Sequence, residues 1–185
     1  MLLIMGPAGA GKTEQAKRLV KSMNLNWIST GHLLREAMNQ PEIKEAMNRG
    51  ELLDDNFVEN VVSEAIKASP DPSRVILDGF PRNVEQSKWL FSFLDKNDLK
   101  VSCVLNLQLP LEEAQKRLFK RGRVDDNHEA IKKRFEEYQA VTLPMIDYYN
   151  GHEIPVCTID GQGTRDEVED RIKEDLKTHV YKNQD

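Results

Sequence analysis

The sequence of 185 residues is long enough for one hydrophobic core, so we expect a single domain with small insertions. Its 39% hydrophobic and 31% charged content is typical of a soluble globular protein. A net charge of −5 argues against a general nucleic-acid or anionic-membrane binder, because both need a basic surface. We therefore expect small molecules as partners, rather than nucleic acid or membrane.

Predicted strands alternate with predicted helices along the chain. In order, the elements are a strand at 2–5, a helix at 14–23, a strand at 27–29, helices at 30–38, 41–49 and 57–68, a strand at 74–78, a helix at 83–96, a strand at 101–107, a helix at 110–121, a helical segment around 131–138 that Pro144 interrupts, a strand at 154–159 and a closing helix at 165–181. Such alternation implies an α/β fold with a parallel sheet covered on both faces.

Cysteine usage and the N-terminal residues bear on the compartment. Cys103 and Cys157 each lie in an apolar run, so we expect buried free thiols rather than a disulfide. The apolar run before Gly6 is too short for a signal-peptide core or a membrane span. These features favour the cytoplasm. The histidines lack metal-ligand spacing and are expected on the surface: His32, His128, His152 and His179.

The most informative stretch is 1–13, where an apolar strand runs into the sequence GPAGAGKT. Gly6, Gly11, Lys12 and Thr13 fill the P-loop pattern G-x-x-x-x-G-K-[ST]. Glycine lets the backbone turn its N–H groups inward, where a Cβ would obstruct the turn and the approach of phosphate oxygens. Lys12 would reach the β- and γ-phosphates, and the helix N-terminus favours anions. The chain is therefore predicted to bind a nucleoside triphosphate.

A second apolar strand, Val75-Ile76-Leu77, ends in the carboxylate of Asp78 and looks like a Walker B element. Such an acid reaches Mg²⁺ directly or through a water molecule, and the P-loop hydroxyl of Thr13 is the second candidate ligand. Many buried strands end in Asp, but the accompanying P-loop makes this interpretation specific.

The residues that follow Asp78 resemble one family. Asp78-Gly79-Phe80-Pro81-Arg82, with Gln86 four residues later, is similar to the signature of adenylate kinases. The stretch 29–35, STGHLLR, is similar to that family's STGDLLR, and 122–126 reads GRVDD as the family does. Further correspondences at 117–121, 133–134 and 143–149 extend the resemblance over essentially the whole chain.

That resemblance implies a P-loop fold with a five-stranded parallel sheet of order 2-3-1-4-5. It implies an insertion at about 30–53 that binds the nucleoside monophosphate, and a very short lid at about 121–126. The implied reaction is ATP + AMP ⇌ 2 ADP with Mg²⁺, catalysed by a monomer. No side chain acts as a nucleophile in such a reaction, because phosphoryl transfer between bound nucleotides depends on positioning and charge stabilisation.

Carried over position by position, the resemblance also implies residue roles. Arg117 would lie against the ATP adenine, Arg121 on the ATP phosphates, and Gly163 would offer backbone to the base. The implied ATP site is Gly9, Ala10, Gly11, Lys12, Thr13, Glu14, Arg117, Arg121 and Gly163. The implied AMP site is Thr30, Arg35, Glu51, Leu52, Leu53, Gly79, Phe80, Pro81, Arg82, Gln86, Arg123 and Arg134. Charge stabilisation would come from Lys12, Arg82, Arg121, Arg123 and Arg134.

The distribution of basic residues supports these roles. ATP and AMP bring about six negative charges to one site, of which Mg²⁺ cancels about two. The segment 116–123 carries five basic residues in eight, although the chain as a whole is acidic. Arg117 and Arg121 are spaced i, i+4, so they lie on one helix face. Arginine forks also match phosphate oxygens bidentately.

Three departures from the family pattern leave alternatives open. Glu14 stands where the family has Thr, His32 replaces the Asp of STGDLLR, and Gly122 and Arg123 are adjacent where short-lid members have several intervening residues. A UMP/CMP kinase is the nearest rival, because those enzymes read FPRN, as here at Asn83. Thr30 and Gln86 favour AMP. The other alternative is a nucleotide-binding sensor or assembly factor with impaired catalysis.

Overall fold

Five parallel strands form the centre of the computed structural model, which describes residues 1–36, 53–123 and 126–179. They are β1 (Leu2–Met5), β2 (Asn26–Ser29), β3 (Val75–Asp78), β4 (Cys103–Gln108) and β5 (Val156–Asp160). Their order is β2-β3-β1-β4-β5, so the predicted fold and strand order are confirmed. The central strand β1 pairs on both sides: Leu3 lies opposite Leu77 of β3 and opposite Val104 of β4.

Helices connect these strands. Within the described ranges they are α1 (Lys12–Met23), α2 (Thr30–Glu36), α3 (Asp55–Lys67), α4 (Val84–Asp95), α5 (Leu111–Arg121), α6 (His128–Glu137), α7 (Met145–Gly151) and α8 (Arg165–His179). The predicted helix at 41–49, the end of the one at 30–38 and the last residues of the closing helix lie outside the described residues.

Side-chain caps begin several of these helices. The side chain of Asp54 accepts from the N–H of Phe57 at 3.1 Å. Asn83 caps α4 and Asn127 caps α6 in the same manner. Each cap satisfies a backbone donor that has no partner within the helix, so these boundaries follow from local sequence.

The segment after α6 differs from the prediction. Residues Tyr138–Thr142 form a π-helical turn, and α7 then begins after Pro144. Proline is well tolerated at a helix start because its missing N–H would have no partner there. Pro144 therefore starts a new helix, where the sequence was interpreted only as an interruption. The buried Tyr149 of α7 makes a 3.0 Å hydrogen bond with Ser87 of α4.

Side chains of successive strand residues pack on opposite faces of the sheet, in two separate hydrophobic cores. Leu3 packs in a layer with α3, α4 and α7, whereas Ile4 packs in a layer with α1 and α8. This alternation is that of a strand buried on both faces. Cys103 and Cys157 lie in the second layer as free thiols with their sulfur atoms 3.2 Å apart, so the prediction of buried thiols is confirmed.

The carboxyl ends of the parallel strands position the site. The P-loop follows β1, Asp78 ends β3, and Gln108 and Asp160 end the two strands beyond. In an open α/β sheet this edge is where ligands bind. In the ranges that the structure describes, no helix has the length and apolarity needed to cross a membrane.

Candidate active site

A cleft of about 870 Å³ opens at the carboxyl edge of the sheet. Its volume is at the upper end of the roughly 300–1,000 Å³ found for small-molecule sites. It is lined by every predicted site residue that the structure describes: Gly9, Ala10, Gly11, Lys12, Thr13, Glu14, Thr30, Arg35, Leu53, Asp78, Gly79, Phe80, Pro81, Arg82, Gln86, Arg117, Arg121, Arg123, Arg134 and Gly163. Glu51 and Leu52 lie outside the described residues.

The P-loop depends on glycine at two positions for different reasons. A Cβ on Gly6 would meet the carbonyl oxygen of Leu107 in β4, so the loop can pass the sheet only as glycine. Gly11 has φ 89° and directly precedes α1 without a side-chain cap. The first-turn N–H groups of α1 therefore have no side-chain acceptor, and they face the cleft as an anion site.

Lys12 lies across this loop. Its ammonium donates to the carbonyl oxygens of Gly6 at 2.8 Å and Pro7 at 2.9 Å. Desolvation by the cleft walls is the main cause that lowers its pKa to about 8; Asp78 opposes the shift, and Arg82, Arg121 and Arg134 add to it. An anion placed among these cations would raise the pKa of Lys12 again.

Thr13 and Asp78 form a second group below the loop. The hydroxyl of Thr13 donates to a carboxylate oxygen of Asp78 at 2.7 Å, although the two residues are 65 apart in sequence. The carboxylate belongs to a residue only 3% exposed. A hydroxyl and a carboxylate at one point of an anion site are the oxygen donors that Mg²⁺ takes beside phosphates. The predicted pair is therefore brought together.

Arg117 lies at the far end of the same half of the cleft. Its guanidinium donates to the carbonyl oxygen of Gly161 at 3.0 Å and to the carboxylate of Glu113 at 3.0 Å. These contacts hold the guanidinium between α5 and the loop after β5, where Gly163 also lines the cleft. A planar cation held in this way offers a face on which a base can stack.

Asp126 organises the arginines of the predicted lid. It accepts from Arg121 at 2.9 and 2.5 Å, and it lies 4.0 Å from a guanidinium nitrogen of Arg134. It also accepts from the backbone N–H of Arg123 at 3.1 Å. Its side chain is 1% exposed, so it is a buried anion paired with cations. In the sequence, Asp126 is visible only as part of the GRVDD motif, and this motif did not predict that Asp126 pairs with the arginines.

Arg82 lies near both Lys12 and Gln86: its charge helps to lower the pKa of Lys12, and its backbone N–H donates to the amide oxygen of Gln86. Its Nε donates to the carbonyl oxygen of Gly79 at 3.0 Å, and its own carbonyl oxygen accepts from the hydroxyl of Thr142 at 2.9 Å. Burial in the cleft and the neighbouring Arg134 lower the pKa of Arg82, which stays charged. Because the net charge of the chain is −5, this group of cations is a local concentration against an acidic whole.

The opposite half of the cleft carries hydrogen-bonding side chains. Thr30 is 1% exposed and its hydroxyl is buried with no protein hydrogen-bond partner. The amide of Gln86 bonds to the backbone N–H of Arg82 and to the carboxylate of Asp55. Asn83, which favoured a UMP/CMP kinase in the sequence, caps α4 and donates to Asp55.

Two departures from the family pattern have structural explanations. The carboxylate of Glu14 lies 3.5 Å from Arg18 and 3.6 Å from Arg165, so cations on α1 and α8 face it. His32 is exposed and does not line the cleft; it stacks on Trp27 and lies 3.4 Å from Glu36.

Nothing in the described ranges forms a metal site of three or more His, Cys, Asp or Glu side chains. Three of the histidines, His32, His128 and His152, are exposed, as predicted, and the side chain of His179 lies outside the description.

The sheet order, the P-loop and the Thr13–Asp78 pair define a P-loop nucleotide-binding protein of the α/β class. The adenylate kinase family model matches residues 4–154. An adenylate kinase of Leptospira biflexa is 39% identical over 92% of this chain and 96% of its own length, adenylate kinase 1 of a Nostoc species 37% identical over 95% and 97%, and an adenylate kinase of Prochlorococcus marinus 42% identical over 88% and 89%. The chain belongs to the adenylate kinase family.

Proposed function

We infer that the chain catalyses the reversible transfer of the γ-phosphoryl group of ATP to AMP, giving two ADP. The observation that carries this proposal is one cleft with two different halves. Thr30 follows β2 and Gln86 follows β3, whereas the P-loop follows β1 and Arg117 contacts Gly161 after β5. In the strand order β2-β3-β1-β4-β5 these two pairs lie toward opposite sides of the sheet, and all four line the same cleft. Family membership supports the same reaction.

The donor half suits a nucleoside triphosphate. The free N–H groups at the start of α1 would bind phosphate oxygens, and Lys12 would turn from its carbonyl partners to the β- and γ-phosphates. Arg117 would stack on the base, and the backbone of Gly163 lines the adjacent wall. Triphosphate binding would raise the pKa of Lys12, which is about 8 in the cleft without an anion.

The oxygen pair of Thr13 and Asp78 fits Mg²⁺. We propose that this pair holds the ion, directly or through water, against the triphosphate. When bound, the ion neutralises part of the phosphate charge and orients the γ-phosphoryl group.

Phosphoryl transfer itself needs charge stabilisation rather than a base. An oxygen of the AMP phosphate, already anionic, attacks the γ-phosphorus, and the bond to the β,γ-bridging oxygen breaks as ADP leaves. Charge spreads over the transferring oxygens, where Arg82, Arg123 and Arg134 would bind it. Asp126 fixes Arg121 and the backbone of Arg123 before substrates arrive, which lowers the reorganisation that closure requires.

The acceptor half suits AMP. Leu34, Leu53 and Val58 line an apolar wall where a purine ring would lie. The unpartnered hydroxyl of Thr30 and the amide of Gln86 would provide polar contacts to the base, and Arg35 would contact the monophosphate. Asn83 caps α4, so its presence has a structural reason besides direct contact with a base.

A coupled assay of ADP production tests this proposal. The protein is given MgATP with AMP, UMP, CMP or GMP in turn, and the kcat/KM values for the acceptors are compared. We expect AMP to exceed each other acceptor by at least about a hundredfold, since a site that hydrogen-bonds a base rejects one that leaves its groups unpaired. A preference for UMP or CMP would make the chain a pyrimidine nucleotide kinase. Nucleotide binding without turnover would support the sensor alternative.

A further inference from the structure

The amide of Gln86 is held at both ends. Its oxygen accepts from the backbone N–H of Arg82 at 2.7 Å, and its nitrogen donates to the carboxylate of Asp55 at 2.6 Å. Gln86 is 2% exposed, so water offers little competition for these bonds. Both contacts are short, and the second is charge-assisted, which makes it the stronger of the two.

These two contacts define the orientation of the amide. Rotation by 180° would place the amide oxygen against the carboxylate of Asp55, and the amide NH₂ against the N–H of Arg82. Two acceptors would then face each other at one end and two donors at the other. Unsatisfied groups of this kind are costly where they are buried. Only one orientation of Gln86 is therefore compatible with its surroundings.

Asp55 is itself fixed relative to Gln86. It is the first residue of α3, where the helix dipole favours a negative charge. The amide of Asn83 donates to the same carboxylate at 3.0 Å, and the oxygen of Asn83 accepts from the backbone N–H of Gln86 at 2.7 Å. The start of α3 and the start of α4 are thus joined through one carboxylate.

The fixed amide keeps one donor and one acceptor for a ligand. A primary amide has two N–H groups and two acceptor positions, and one of each is used here. The 6-aminopurine adenine offers an acceptor at N1 beside a donor at N6. The 6-oxopurines hypoxanthine and guanine offer a donor at N1 beside an acceptor at O6. A purine of one type matches a given amide orientation, and a purine of the other type needs the amide rotated.

We propose that Asp55 is a positioning residue that selects 6-aminopurine over 6-oxopurine monophosphates by fixing the orientation of the Gln86 amide. The inference rests on the proposed function, in which AMP is the acceptor. Asp55 touches no reacting atom. It acts through Gln86, because its carboxylate holds the NH₂ end of an amide that lines the cleft. The edge of the amide left for a ligand would then be the one that matches adenine.

The unmodified protein provides the first test. MgATP is combined with AMP, with purine riboside monophosphate, which lacks any 6-substituent, or with IMP. A fixed amide predicts kcat/KM in the order AMP, purine riboside monophosphate, IMP, since IMP alone opposes both amide groups. An amide that rotates freely would use IMP better than purine riboside monophosphate. That second order would overturn the inference.

Asp55→Asn provides the second test, because an asparagine amide can rotate together with Gln86. We expect the ratio of kcat/KM for AMP to that for IMP to fall at least about tenfold, the scale of one charge-assisted hydrogen bond. The KM for ATP should not change. Asp54→Asn is the matched control, since it removes the same charge from the same helix end but caps only Phe57.

A double variant distinguishes an effect of Asp55 on purine selectivity from a general effect on the fold. In a Gln86→Ala background there is no amide to orient, so adding Asp55→Asn should leave the AMP-to-IMP ratio unchanged. An unchanged ratio in Asp55→Asn alone, or an equal fall in Asp54→Asn, would refute the role of Asp55 while leaving the kinase assignment intact. A protein that phosphorylates no purine monophosphate would instead refute the proposed function.

Discussion

The two halves of the cleft are built in different ways. The donor half is mostly backbone: a loop between β1 and α1 supplies N–H groups from consecutive residues, and Gly6 is required because β4 lies so close. The acceptor half is mostly side chains. Asp55 and Gln86 come from separate helices and meet across 31 residues of sequence. Backbone N–H groups recognise phosphates, which all nucleoside triphosphates share, whereas side chains can distinguish one base from another.

Loss of the donor-half cation gives the largest expected effect. Lys12→Met should lower kcat about a thousandfold or more, because the ammonium balances charge that develops on the transferring oxygens. The rate of ADP formation at saturating substrates measures this fall in kcat. Lys21→Met, an exposed lysine in the last turn of the same helix, is the control and should be unaffected. A Lys12→Met protein with a tenth of normal activity would rule out this role for the P-loop.

A substitution in the predicted lid should lower the rate of phosphoryl transfer and leave ATP binding nearly unchanged. Arg123→Ala should lower kcat by about a hundredfold, the effect of losing one charge-stabilising donor, with little change in ATP affinity. Turnover and ATP binding are measured separately for this purpose. Lys116→Ala is the control, since Lys116 is exposed and does not line the cleft. Near-normal kcat in Arg123→Ala would mean that Arg123 has no catalytic role.

A substitution in the acceptor half should change the KM for AMP much more than the KM for ATP. Gln86→Ala should raise KM for AMP about ten- to a hundredfold, the cost of lost base recognition, and change KM for ATP far less. Steady-state kinetics with each substrate varied in turn test this. Gln115→Ala, on α5 and away from the cleft lining, serves as the control. Equal changes in both KM values would show that Gln86 does not read the acceptor base.

The smallest effect should be a pH dependence confined to the donor half. The pKa of Lys12 is lowered to about 8 when no anion is bound, and phosphates favour the charged form, so bound ATP raises it. ATP affinity should be highest below this pKa and weaken about tenfold by one pH unit above it. Binding calorimetry near pH 8, in buffers of different ionisation enthalpy, should detect proton uptake. Lys12→Met should abolish both the uptake and the pH dependence.

The sequence alone determined the donor half and the sheet. Gly6, Gly11, Lys12 and Thr13 are local in the chain, and the strand alternation implied the parallel sheet that the structure confirms. The order of the strands was predicted from the family resemblance and not from the strand pattern. The cap at Asp54 and the end of α5 at Gly122 were also predictable, because each depends on a few neighbouring residues.

Only the tertiary structure decided how distant side chains combine. Asp126 draws together Arg121 and Arg134, Asp55 holds Gln86, and Glu14 faces Arg165 from α8. Each of these residues can be recognised in the sequence as a charged or amide side chain. No local sequence pattern predicts which of them come into contact across the cleft. The physical reason is that propensity and periodicity act over one or two turns, whereas the partners of a buried polar group are chosen by packing.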